Sequence, residues 1–265
     1  VPLVVAPERA DPVYRPTVLG AVLLRTPAPL TAETLDVVRL VSERAALALE
    51  HATVHEVQAL FAGRVRQLLV ASDPPEVEGL KIGVVFHSSV RGAEISGDFC
   101  DFTSFSPGHV LVAVGDVAGK GIEAAGETVV VKHALRALVR ASRWPTFPGD
   151  VLRDLHNALQ DQLEPPRFAT VVLALFDSAR GSLLVSSAGH PPPLVIRRAG
   201  VERPMLLTAP AIALTESSEL EPYPMERIEV APGETVVLFS DGLAELRDAE
   251  GRYYDDVRLE AALDE

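Results

Sequence analysis

The chain has 265 residues, 48% of them apolar, and a formal charge of −13 at pH 7. That apolar share supports a sizeable core and excludes a disordered chain, while the acidic balance repels nucleic acid and anionic lipid, so neither is expected as a partner. The single cysteine, Cys100, excludes an internal disulfide and suits a reducing, cytoplasmic setting. No apolar run approaches the roughly 18 residues of a membrane span.

In chain order, Thr17 to Arg25 reads as a strand. Thr31 is placed to cap a helix with Glu33 in its first turn. Apolar or small residues at Val38, Val41, Ala45, Ala48 and Ala52, then Val54, Val57, Phe61, Val65 and Leu68, keep a spacing of three and four. One connector helix on the order of 55 to 60 Å, or two helices meeting near Ala52, would carry that pattern. The stripe Val54, Val57, Phe61, Val65 and Leu68 predicts a parallel homodimer. Beyond Ser72-Asp-Pro-Pro75, strands are expected at Leu80 to His87, Ile95 to Phe105 and Val110 to Gly115. Helices follow from about Ile122 to Ser142 and Asp150 to Leu163. Strands return at Phe168 to Phe176, Leu183 to Ser187, Leu194 to Ile196, Arg227 to Val230 and Thr235 to Phe239. Strands, two central helices and strands again indicate an α+β fold with antiparallel sheets covered by helices. Ala209 to Pro224 lacks periodicity and reads as a long loop.

The chain is organised around Val110-Leu-Val-Ala-Val-Gly-Asp-Val-Ala-Gly-Lys-Gly-Ile-Glu-Ala-Ala125. A strand buried on both faces delivers Asp116 at its mouth, and Gly119 and Gly121 turn the backbone into a helix. A carboxylate there is costly to desolvate unless a cation offsets it; the alternative is an ordinary surface turn. A Walker loop fails on spacing, because Gly115 and Gly119 enclose three residues and Gly121 follows Lys120. Thr235-Val-Val-Leu-Phe-Ser-Asp-Gly242 repeats the logic and delivers Asp241 beside Gly242. Asp98 follows Gly97, and Asp101 would share its strand face only after a bulge. Carboxylates from separate strands suit a pair of Mg²⁺ or Mn²⁺ ions and phosphate ester hydrolysis. Asp177 reads as a hairpin turn, His190 as an acid or base or as the pin of a Pro-rich turn, and Cys100 as an inert buried thiol. His133 and His156 read as packing or surface residues.

Taken together and in order, Gly97-Asp-Phe-Cys-Asp101, Gly115 to Ala125, Arg167-Phe-Ala-Thr170, Ala188-Gly-His-Pro-Pro192, Pro232-Gly-Glu234 and Ser240-Asp-Gly-Leu-Ala-Glu245 resemble the SpoIIE/RsbU branch of the PPM metal-dependent serine/threonine phosphatases. The resemblance implies an α-β-β-α sandwich with two Mn²⁺ or Mg²⁺ ions. Asp116 would bridge them, the Val117 carbonyl would add a ligand, and Asp98 and Asp241 would each bind one ion. Gly97, Gly115, Gly119, Gly121, His190 and Gly242 would support the loops or the substrate. It further implies a phosphorylated STAS-type anti-sigma-factor antagonist as substrate. Residues 1–52 resemble the C-terminal part of a GAF sensor, 53–75 would be a helical linker, and 76–265 the phosphatase domain without its final Asp-Asp strand. A catalytically silent PPM-like relay is the competing expectation.

Overall fold

The computed structural model describes residues 2–5, 17–21, 29, 31–69, 73–86, 97–119, 121–142, 147–160, 162–163, 167–207, 209–214, 221–244, 246–248, 250–253 and 256–264. The chain divides into two compact units, Val1–Gly63 and Arg64–Glu265. In the first, strand β1 (Pro2–Val5) pairs antiparallel with β2 (Thr17–Ala21). Helix α1 (Ala32–Leu69) begins where Thr31 caps it: the Thr34 amide donates to Thr31 Oγ1 at 3.2 Å. It is one helix of 38 residues. Of the two readings of the pattern, the single long helix is the one observed, and the alternative of two helices meeting near Ala52 is not. A lone interior Gly63 costs only about 1 kcal/mol of helix propensity, and no proline interrupts the run. The side chains of Val54, Val57, Phe61, Val65 and Leu68 lie outside the described residues.

The second unit is built from β3 (Phe99–Ser106), β4 (His109–Val117), α2 (Gly121–Ala141), α3 (Pro148–Leu159), β5 (Ala169–Asp177), β6 (Ser182–Ala188), β7 (Leu194–Arg197), β8 (Gly200–Glu202), β9 (Met225–Glu229), β10 (Thr235–Val237), α4 (Asp241–Ala244) and α5 (Asp256–Asp264). One antiparallel sheet has the order β3-β4-β5-β6-β9 and another the order β10-β7-β8. Helix α2 buries Ala124, Val131, Leu135 and Val139 at helical spacing, and α3 buries Val151, Leu152, Leu155 and Leu159. Both join Leu111, Ala113, Val171 and Leu173 of the five-stranded sheet in one core. The opposite face of that sheet presents Val172, Ala174, Leu183 and Val185, which pack with Val195 and Val236 of the three-stranded sheet. Leu259 of α5 then packs with Leu194 on the far side. The order helix, sheet, sheet, helix is the four-layered α+β sandwich.

Several expectations are corrected. Residues 81–86 form no strand, and Val85 is 95% exposed. Their apolar composition has β-propensity, yet propensity needs a partner ladder and a face to bury. Helix α3 stops at Leu159 instead of Leu163; beyond it the Gln162 amide closes a tighter i→i−3 turn onto the Leu159 carbonyl at 2.9 Å. Strand β10 ends at Val237, and Asp241 opens a four-residue helix instead of ending a strand. Strand β8 and helix α5 were not expected. Between Ala209 and Pro224 the described residues hold only the Ala169–Ile212 bridge. His156, fully buried on α3, anchors both ends of this stretch: the Ala213 amide donates to Nδ1 at 3.3 Å, and the Tyr223 hydroxyl lies 3.3 Å from the same atom. His133 is exposed.

An ion pair links the helical layer to β3. Asp101 is 4% exposed, and Arg136 of α2 donates to its Oδ2 from Nε at 2.8 Å and to its Oδ1 from Nη2. Buried Lys132 adds positive charge nearby; burial lowers its pKa while Asp101 opposes that shift. Removing Arg136 would leave a desolvated carboxylate without its fork, which typically costs about 3 kcal/mol or more. Arg136→Leu is expected to lower unfolding stability by about that amount in urea titrations. An unchanged midpoint and slope would show the pair to be dispensable.

Candidate metal centre

The site is laid out by strand register. Phe99 pairs with Gly115, so Asp98 arrives one residue before the β3–β4 ladder begins, opposite the position of Asp116. Asp116 pairs in turn with Thr170 of β5. Strand β4 runs through Asp116 to Val117, so the acid lies inside the ladder and not in a turn after it. Val110 to Ala113 are buried, as a strand covered on both faces requires. Asp116 is half-buried.

Gly97 decides how closely these elements meet. Its carbonyl accepts the Val117 amide at 3.2 Å and the Thr128 hydroxyl of α2 at 3.2 Å. A Cβ on Gly97 would lie 2.2 Å from the Val117 carbonyl oxygen and 2.6 Å from Asp116 Oδ1. Those two oxygens therefore stand together beside a cradle that a single methyl group would fill. Gly119 adopts φ 135°, a conformation that L side chains rarely reach, before α2 starts at Gly121. Gly115 lies in β4 against the Phe99 ring and the Thr170 carbonyl.

His190 closes the site from the β6 side. Its amide donates to Ser187 Oγ at 3.1 Å, the Ser187 hydroxyl donates to the His190 carbonyl at 2.8 Å, and Nδ1 is hydrogen-bonded to Thr170 Oγ1 at 2.9 Å. Burial pushes its pKa down to about 4, against the opposing pull of the Phe239 backbone and the Asp98 carboxylate. Burial thus favours the neutral ring, and hydrogen bonds to Ser187 and Thr170 fix the residue at this turn. Phe239 also brings the segment leading to Asp241 to this end of the unit. Asp241 and Gly242 are exposed.

The donor set fits a hard divalent cation, which takes carboxylate and carbonyl oxygens. Asp116 and the Val117 carbonyl form the assembled part, with Asp98 next to Gly97 in the chain and at the register position opposite Asp116. Among the described residues, however, no three Asp, Glu, His or Cys side chains are drawn closely enough to grip an ion. Asp98, Asp116 and Asp241 share one end of the unit without forming one cluster. Asp101 takes no part, being held by Arg136. Asp177 belongs to the hairpin at the other end of β5, where its Oδ1 accepts the Arg180 amide at 3.0 Å. Burial raises the Cys100 thiol to about 11, with Lys132 opposing, so it stays protonated at neutral pH.

Sequence reasoning missed Arg167 as part of this region. It donates to Glu123 Oε2 at 2.6 Å and to Glu127 Oε1, both on the first turns of α2. Its neighbour Phe168 accepts the Ala118 amide at 2.9 Å. The only sequence signal was its place at the head of the Arg167-Phe-Ala-Thr170 motif.

Residues 106–265 match the family described as Stage II sporulation protein E (SpoIIE). Phosphoserine phosphatase RsbU of Bacillus subtilis (strain 168) is 28% identical over 208 residues, 76% of this chain and 59% of that protein. Phosphoserine phosphatase RsbP of the same organism is 24% identical over 152 residues, 57% of this chain and 37% of that protein. The chain thus spans less than two thirds of the length of these relatives. Among solved structures, the RsbU and RsbW domains of a Mycobacterium tuberculosis protein share 25% identity, cover 58% of this chain and 41% of that one, and superpose with a TM-score of 0.50. The SiaA-PP2C domain of Pseudomonas aeruginosa shares 22% identity, covering 63% of this chain and 65% of that one, with a TM-score of 0.54.

Gly97→Ala tests the geometry without reference to any reaction. The added methyl must separate Gly97 from Val117, and such overpacking typically costs about 1 to 3 kcal/mol. The variant is expected to unfold at lower urea, with faster amide exchange at Val117. Wild-type stability and exchange would show that the two segments do not meet as described.

Proposed function

We propose, from the premise that the chain belongs to the SpoIIE family, that its second unit is a metal-dependent protein serine/threonine phosphatase domain of the PPM type. The observation that carries this reading is the Gly97 cradle, which sets the Asp116 carboxylate and the Val117 carbonyl side by side next to Asp98. In this reading Asp116, the Val117 carbonyl and Asp98 would hold the cations, and Asp241, at the start of α4 beyond β10, would complete the set. Bound Mn²⁺ or Mg²⁺ would supply a nucleophile at neutral pH and positive charge against the phosphoryl oxygens. The chain's own residues do the positioning. Gly97 admits the close approach, Thr128 ties α2 to it, and neutral His190 holds Thr170 and the β6 turn.

The substrate in this reading is a phosphoserine or phosphothreonine on a STAS-type partner in sigma-factor signalling, acted on in the cytoplasm. The first unit would be the end of a GAF-like sensor, coupled through the connector helix of a homodimer; the unbroken run of α1 supports a connector. A silent relay has one observation in its favour, namely that Asp241 is not gathered with Asp98 and Asp116 into one cluster.

Asp116→Asn separates the two readings. A neutral amide cannot bridge two cations as a carboxylate does. The wild-type chain should hydrolyse a chromogenic phosphate ester and a phosphoserine peptide in the presence of Mn²⁺, and the variant should lose more than about nine tenths of that rate with an unchanged circular dichroism spectrum. Absence of any Mn²⁺-dependent turnover by a folded wild-type chain would favour the relay. Full activity in the variant would sink the metal assignment.

A further inference from the structure

We propose that Arg167 is a positioning residue, clamping the first two turns of α2 to the lead-in of β5 and thereby setting the backbone that carries Asp116 and the Val117 carbonyl. The inference rests on the metal-dependent reading above and adds a residue to it. Arg167 reaches Glu123 at 2.6 Å through Nη2 and Glu127 through Nη1. The two glutamates are four residues apart and so lie one above the other on the same face of the helix. One planar guanidinium therefore spans a whole helical turn, which a point charge on a flexible stem does not.

The clamp has a short route to the metal-facing backbone. Next to Arg167, the Phe168 carbonyl accepts the Ala118 amide at 2.9 Å. One residue after Glu127, the Thr128 hydroxyl donates to the Gly97 carbonyl, the same oxygen that accepts the Val117 amide. Val117 and Ala118 are thus held from two sides by groups whose relative placement Arg167 fixes. The Glu123 side chain is 80% exposed and that of Arg167 is 32% exposed. The Glu123 pair, so exposed, adds little to global stability, while the Glu127 side chain, 20% exposed, is the more sheltered half of the clamp; with neither pair in the core, its work is local alignment.

Mn²⁺ titration calorimetry, amide exchange over residues 115–128 and metal-free thermal unfolding, on the whole chain, test the clamp. Arg167→Ala should weaken Mn²⁺ binding about tenfold, the usual order for a group that orients metal ligands. It should also speed exchange in that stretch and leave the metal-free midpoint within about 2 °C. The double variant Arg167→Ala with Glu127→Gln should be no worse than Arg167→Ala alone, since both break one interaction. Unchanged Mn²⁺ affinity together with unchanged exchange overturns the proposal. If the wild-type chain binds no Mn²⁺ but exchange still rises in Arg167→Ala, the metal reading fails and the clamp stands. Should Arg167→Ala not fold, Glu123→Gln carries the same two readouts: weaker binding with faster exchange supports the clamp, and no change in either overturns it.

Discussion

At Gly97 the chain uses the absence of a side chain as a structural part. Two donors, the Val117 amide and the Thr128 hydroxyl, converge on its carbonyl, and a methyl group in place of its hydrogen would sit 2.2 Å from the Val117 carbonyl oxygen. The shared seat of the Val117 carbonyl and the Asp116 carboxylate depends on that approach. If Gly97 stood one atom further away, Asp98 and Asp116 would still end up near each other through strand register, but the carbonyl and carboxylate oxygens would not share one seat. The constraint also explains why two layers of the fold enter the site. Helix α2 reaches it through Thr128, whereas β5 reaches it through Thr170 and Phe168.

The rest of the unit keeps this junction from drifting. The two cores, one between helices and sheet and one between the sheets, fix β4 on both faces, so the strand carrying Asp116 has little freedom to shift. The His190 turn and the Arg167 pair then act on side chains and loop ends, where packing is thin. Stability and geometry are thus divided between different residues. Buried apolar residues supply the first, and a few polar contacts at the sheet's end supply the second.

Much of this was legible in the sequence, for identifiable reasons. Strand β4 is a run of apolar residues closed by an acid, and α2 and α3 carry apolar residues at helical spacing, so local pattern alone finds them. Acids delivered at strand ends pointed to Asp98, Asp116 and Asp241. Local pattern failed where structure depends on distant partners. Residues 81–86 have strand composition without a strand, while Gly200–Glu202 has no strand composition and forms one because β7 lies alongside. Asp101 and Arg136 are separated by 35 residues, and Arg167 and Glu127 by 40, which no periodicity connects. Asp241 was expected to end a strand, but β10 stops four residues earlier and the acid opens α4.

The buried pair between Asp101 and Arg136 has a meaning beyond its energy. Strand β3 lies at the end of its sheet's order, and an end strand is held from one side and can slide. A slip of one residue would turn Asp101 away from Arg136 and push an apolar neighbour toward the guanidinium, a mismatch the interior does not tolerate. The pair therefore works as a register mark, three residues downstream of Asp98. By fixing which residue of β3 faces α2, it also fixes how far along β4 Asp98 comes to rest, so a charge that never enters the site determines where one of its acids stands.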